Sequence, residues 1–181
     1  MDNIITDEAL GSFARSTGAS VLVSGRTPLR RYSGEIAAVL HGLKAASEAA
    51  GASDWLRDNR YLAEREAKAA LSSLSKCGSL PAAGSSPHLA LCLSALVDAG
   101  GGLVTDERLK IYLTEYQKSR PLCEKELWLL VPVLKCEVCR FIFENPESDA
   151  LLSGAFSSLR YLAEAELTEL IEGVNRLEAI L

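Results

Sequence analysis

Apolar residues recur at intervals of three and four through most of the chain, the period of an amphipathic helix rather than the alternation of a strand. Between Ser33 and Ala50, Ile36, Val39, Leu40, Leu43 and Ala46 fall on one face, and Gly51 supplies a stop. Ser53 then caps a helix to about Leu74 whose inward stripe reads Trp55, Asn59, Leu62, Glu66 and Ala70. Two polar residues interrupt that stripe. Each costs on the order of 1–3 kcal/mol if buried alone, so Asn59 and Glu66 are expected to bond to other helices or to a partner. Leu89, Cys92, Leu93, Leu96 and Val97 predict the next helix, opened by Ser86-Pro87 and ended by Gly100 to Gly102. Thr105 caps another, with Asp106 and Glu107 in its first turn and Leu109, Tyr112, Leu113 and Tyr116 facing inward until Pro121.

Glu124 to Phe143 is the most apolar segment, predicted to form a central helix that Pro132 kinks without ending. Beyond Asn145-Pro146, Leu151, Leu152, Leu159 and Leu162, and then Leu167, Leu170, Ile171 and Val174, predict two shorter helices. At the start of the chain Thr6 caps a short helix through Arg15. Residues 16–33 carry Ser, Thr, Gly, Pro28 and three arginines and read as a tether. The segment Lys76 to Ser86 reads as irregular and rich in turns. The expected fold is therefore all-α: a short helix and flexible tether over 1–32, then a single-domain bundle over 33–181, about seven helices in all. No period of 20–50 residues repeats, which sets a solenoid aside.

Composition agrees with this pattern. Leu (30) and Ala (24) far outnumber Val (9), Ile (7) and Thr (6), so the apolar mass is made of helix formers. With 181 residues the chain can fill one core, not two. A net charge of −5 argues against a nucleic-acid surface, since phosphate contacts need clustered Lys and Arg. The arginines of Arg26 to Arg31 read as a solvated linker. The residues Met1 to Leu10 lack a basic patch followed by an apolar run, which points to the cytoplasm. The longest apolar stretch, Leu127 to Leu134, is far short of the ~20 residues of a membrane span, so no direct membrane insertion is expected.

Candidate chemistry is sparse. Cys136-Glu-Val-Cys139 is one CxxC where a tetrahedral metal site needs four ligands, and Cys77, Cys92, Cys123, His41 and His88 are scattered singly; no metal or cofactor is expected. Neither histidine stands near a nucleophile elbow, and Gly100 to Gly102 lies in no phosphate-cradling pattern. Carboxylate pairs such as Glu64 with Glu66 read as solvated faces or caps. Glu126 has a specific expected role: counted from Cys123 it is the third helical residue, placed to fold back onto the cap's backbone amide. No catalytic residue is assigned.

Three ordered segments nevertheless form a pattern. Trp55-Leu-Arg-Asp58-Asn59-Arg-Tyr61-Leu62-Ala-Glu64 resembles the tryptophan, Asp-Asn, aromatic and glutamate signature near the start of bacterial cyclic β-1,2-glucan synthases and their carbohydrate-phosphorylase-like relatives. Leu113-Thr-Glu-Tyr116-Gln117, Pro121-Leu122 and Glu126-Leu127-Trp128 are similar to that family's YQ, PL and ELW run. Ser158-Leu-Arg160, through Glu172, to Glu178-Ala-Ile-Leu181 is similar to a later one. The chain departs from the family at Cys123, where a threonine cap is usual, at Ser85-Ser86-Pro87 in place of a GYP turn, and in lacking a helical insert after residue 143.

The resemblance implies a non-catalytic helical module ahead of the membrane spans, a UDP-glucose-using transferase domain and a phosphorylase-like domain. Its partner is then the transferase and membrane portion of a glucan synthase, joined in one polypeptide in relatives, and its place is the cytoplasm, at the membrane through the parent protein. Relatives continue beyond the position of Leu181, so the resemblance also implies a fragment or truncated form. It marks Trp55, Asp58, Asn59, Tyr61, Glu64, Glu126, Trp128, Arg160 and Glu172 as contact or motif residues. The alternative is a stand-alone protein or enzyme that binds glucan or a nucleotide sugar, for which a pocket bringing Trp55 or Trp128 against carboxylates is the distinguishing feature.

Overall fold

The computed structural model describes residues 4–164. Among them are eight helices: α1 (Asp7–Ser20), α2 (Leu29–Glu48), α3 (Asp54–Leu74), α4 (His88–Ala99), α5 (Asp106–Ser119), α6 (Glu124–Trp128), α7 (Leu130–Glu144) and α8 (Asp149–Glu164). The expected all-α bundle is what the chain forms, with one small addition. Three short strands, β1 (Arg26–Pro28), β2 (Ser79–Ala83) and β3 (Ser86–Pro87), make an antiparallel sheet in that order. The second of the two helices expected after Pro146 falls beyond residue 164 and lies outside the described residues, as does Glu172.

Helix α7 is the axis of the bundle. It is buried on more than one side, and α2, α3, α4, α6 and α8 all pack against it. Its register on α3 is antiparallel: the Cys139 thiol donates to the Ala63 carbonyl, while one turn away Lys135 Nζ donates to Glu66 at 2.8 Å. Leu56, Leu62, Leu134, Val138 and Ile142 are almost fully buried in one apolar cluster, where each such side chain contributes about 1.5–3 kcal/mol relative to exposure.

The central helix is split, not kinked. Expected as one rod from Glu124 to Phe143, it breaks at Leu129, whose φ of −99° and ψ of 4° leave helical geometry. Pro132 therefore falls in the first turn of α7, where its missing N–H has no intrahelical acceptor to lose and its ring is tolerated. The hydrogen bond from Val133 N to Leu129 O opens the new helix.

Residues 16–33 are not a tether. Helix α1 runs five residues past Arg15, because Gly18 lets it lie against α5: a Cβ there would stand 3.0 Å from the Tyr116 carbonyl oxygen. Arg26 to Pro28 then pairs with Pro81 to Ser79, and Arg26 Nη2 donates to the Ser79 carbonyl at 2.9 Å. Leu10, Ala14, Leu29 and Tyr32 belong to the same apolar cluster as α3 to α8. The segment 76–86, expected to be irregular, supplies β2 and the turn into β3, with Gly84 at φ 64°. Prolines and small residues carry no strand signature; this sheet is held by docking on α4 and α2.

Candidate functional site

The residues marked by sequence fall into three places. On the first half of α3, Trp55, Asp58 and Tyr61 are spaced three apart and share its outward side, with Trp55 36% and Tyr61 64% exposed. Ser53 caps this helix end by accepting from Trp55 N at 3.0 Å, and its hydroxyl also donates to Asp149 at the start of α8. Asn59 Nδ2 donates to the Trp55 carbonyl at 3.0 Å, and Asn59 Oδ1 accepts from Arg160 Nη2 at 2.8 Å. The first and third segments thus meet at an α3–α8 clasp. Glu64 pairs with Arg60 on the same helix, half-buried. Trp128, 55% exposed, is elsewhere: the antiparallel register puts it toward the opposite end of the α3–α7 pair from Trp55.

Both polar interruptions of the α3 stripe are answered by other helices. Asn59 finds Arg160 on α8. Glu66, 5% exposed, accepts from Lys135 of α7 and from its neighbour Arg65. Burial pushes its carboxyl up, but those two cations outweigh burial and hold it below the usual range.

Glu126 is the hub of a buried network. Its Oε2 accepts from the Cys123 backbone N–H at 2.9 Å, the fold-back expected from its position, and its Oε1 takes His88 Nδ1 at 2.8 Å. His88 Nε2 stands 2.9 Å from the Tyr116 hydroxyl. A carboxylate only accepts, so in the neutral ring it fixes the proton on Nδ1, and the Tyr116 hydroxyl donates to Nε2. Burial, with Cys92 nearby, raises Tyr116 far above its ordinary value, which keeps that donor protonated. His88 is 1% exposed and Glu126 1%, with both carboxylate oxygens and both ring nitrogens used. The arrangement has the members of a catalytic relay but nothing for substrate to reach; it joins α4, α5 and α6.

A second buried glutamate is less complete. Glu137 of α7 is 3% exposed, and its Oε1 accepts from the Tyr32 hydroxyl of α2 at 2.6 Å. Arg140 Nε stands 3.3 Å from Oε2, near enough for charge attraction but off-line for a hydrogen bond. These groups line a cleft of about 220 Å³ between α2, α4 and α7, together with Glu35, Asp98 and Glu144. Burial pushes Glu137 up to about 7, with Arg140 pulling the other way, and burial raises Asp98 as well. Sequence reading missed this site because Tyr32 fell in the supposed tether and the CEVC run drew attention to its thiols. The available signal was a lone glutamate one turn from Val133 and Phe141 on an otherwise apolar stripe.

Cys136 and Cys139 are both buried, and burial raises both thiols. Among the described residues no three His, Cys, Asp or Glu side chains are grouped to hold a metal ion, and no helix is long and apolar enough to cross a membrane. Neither Trp55 nor Trp128 lines the α2–α4–α7 cleft. No family model matches the chain, and no curated protein or solved structure is significantly similar to it.

Proposed function

We propose that the chain is a non-catalytic helical docking module, of the kind that stands ahead of the transferase portion of cyclic β-1,2-glucan synthases, and that it binds that portion through α3. The observation that carries the reading is the stripe Trp55, Asp58 and Tyr61: two large rings and an acid on one outward side of a helix whose other side is well packed. Exposed aromatic anchors mixed with a charge are the composition from which interface hot spots are built. The segments that carry the family resemblance also support it. Asn59 and Arg160 join across α3 and α8, and Tyr116 and Glu126 join through His88, so the residues quoted for the resemblance serve a shared framework.

In this reading Glu126 and Arg160 hold the scaffold and Trp55, Asp58 and Tyr61 meet the partner. The test is co-expression with a separately tagged transferase portion of a cyclic β-1,2-glucan synthase. Trp55→Ala with Tyr61→Ala is expected to weaken co-purification at least tenfold, about 1.4 kcal/mol or more, at an unchanged unfolding midpoint. Retained co-purification by a folded double variant overturns docking through α3. Calorimetric binding of UDP-glucose or short β-1,2-glucans to the isolated chain overturns the non-catalytic reading in favour of a stand-alone sugar-binding protein.

A further inference from the structure

We propose that the pole built around the small sheet docks on the surface of an anionic bilayer, with Arg26, Arg30, Arg31 and Lys76 meeting the lipid phosphates and Leu22 entering the interface. This surface lies at the end of α3 opposite to Trp55, so it stands or falls separately from docking through the α3 stripe.

The first observation is charge. The chain is acidic as a whole, yet residues 9–34 and 67–97 hold six Lys and Arg and no Asp or Glu. The fold brings these two stretches together: Arg26 to Pro28 pairs with Pro81 to Ser79, and Leu29 N donates to the Gly78 carbonyl at 3.0 Å. Arg30 lines one groove with Ser75 and Cys77, the two neighbours of Lys76. Arg26, Arg30, Arg31 and Lys76 are all exposed. Arg31 stands 3.6 Å from Glu35, while Arg30 and Lys76 pair with no acid among the described residues. A positive pole on an acidic molecule suits an extended anionic surface, because that surface attracts the pole and turns the rest of the molecule away.

The second is an aliphatic side chain held out to solvent. Leu22 is 82% exposed, more than any other large apolar side chain among the described residues. It is no loose end. Arg120 Nη2 donates to the Val21 carbonyl at 2.7 Å and Ser24 N donates to the Ala82 carbonyl at 2.8 Å, so the backbone is pinned on both sides of it. An extended chain covers at most about 14 Å from Leu22 to Arg26, which puts the leucine beside the cations. Cations flanking a presented aliphatic group are the composition of an interfacial lipid contact. Nucleic acid fits less well: the two stretches hold no Asn or Gln to read base edges, and their aromatic rings, Phe13 and Tyr32, pack against the core instead of offering a stacking face.

Co-sedimentation of the full chain with vesicles tests the proposal, using phosphatidylcholine alone and phosphatidylcholine with about one-third phosphatidylglycerol, at low salt and at about 0.3 M salt. The expected result is binding to the anionic vesicles at least tenfold tighter than to the neutral ones, weakened by salt. Arg30→Glu with Arg31→Glu is expected to lower it at least tenfold, since each basic group near an anionic leaflet is worth about fivefold. Leu22→Ser, which removes no charge and no buried contact, is expected to lower it severalfold and keeps the test decisive if the double reversal fails to fold. Lys110→Glu with Lys118→Glu on α5 changes the net charge equally and is expected to retain most of the binding. No preference for anionic vesicles, unchanged affinity in the folded Arg30/Arg31 or Leu22 variants, an equal loss in the α5 variant, or tighter binding to a DNA or RNA oligonucleotide than to the vesicles each overturns the proposal.

Discussion

Glu126 and Glu137 are the two most deeply buried acids among the described residues, 1% and 3% exposed, and each is bonded to a chain of polar side chains. Around Glu126 every polar atom has a partner: a backbone N–H and His88 for the carboxylate, Tyr116 for the far ring nitrogen. Around Glu137 the partnering stops halfway, at one tyrosine and one guanidinium out of line, and a cavity begins. The same residue type in the same apolar interior is thus a closed strut in one place and part of a cleft wall in the other. What separates them is the count of satisfied atoms, since a buried polar group with all its partners rigidifies the core and one that opens on a cleft can be served by water.

The largest expected effect comes from breaking the complete network. His88→Ala removes two hydrogen bonds and leaves Glu126 Oε1 and the Tyr116 hydroxyl buried without partners, so it should destabilise by about 3–5 kcal/mol. Urea unfolding at pH 7 measures this, and a loss under 1 kcal/mol means the network is not a strut.

Glu137→Gln should act in the opposite direction. The groups facing Glu137 are Tyr32 and Glu35 from α2, Asp98 from α4, and Cys136, Arg140 and Glu144 from α7 itself. Together with burial they set its folded value near 7 against 4.5 for the free side chain. Between those values the folded chain holds a proton that the unfolded chain has released, so stability falls as pH rises from about 4.5 to about 7 and stays reduced above it. Replacing the acid by its neutral isostere removes that penalty. The variant should be more stable than the parent by on the order of 2–3 kcal/mol at pH 8 and equal to it at pH 4. Unfolding curves at the two pH values decide it: a variant less stable at pH 8 shows that Arg140 already compensates the charge.

Matched hydroxyl deletions sharpen the contrast further. Tyr116→Phe strands His88 Nε2 in a closed interior and should cost about 1–3 kcal/mol. Tyr32→Phe strands Glu137 Oε1 beside a cavity that water can enter, and should cost about 1 kcal/mol at pH 8 while moving the Glu137 transition above 7. Equal losses in the two variants mean that the cleft is as closed as the strut.

How much of this was legible depends on what each residue's neighbours are. Helices α3 and α5 were readable because Ser53 and Thr105 cap them, α4 because its apolar period runs uninterrupted, and Glu126 because its fold-back is local, three residues from its cap. The answers to Asn59 and Glu66 were expected in kind but not by name. The sheet was invisible because β1 to β3 are two to five residues, mostly Ser, Pro and Ala, and β1 pairs with β2 across some fifty residues. His88 and Glu137 were invisible for the same physical reason: their partners lie 38 and 105 residues away, and no local period encodes a contact between helices.

The smallest effect concerns the clasp that joins α3 to α8, where the partners are as well matched as around Glu126 but exposed. Arg160 Nη2 donates to Asn59 Oδ1 at 2.8 Å, and both groups can exchange that bond for water. Arg160→Ala should therefore cost under about 1 kcal/mol, severalfold less than His88→Ala for a hydrogen bond of similar length. If urea unfolding instead gives 2 kcal/mol or more, burial is not what separates the strut from the rest, and Asn59 and Arg160 belong with His88 and Glu126 as parts of the framework. If the loss is small while co-purification with the transferase portion also drops, the clasp serves to hold the Trp55 and Tyr61 face in place, a role the folded chain alone does not require.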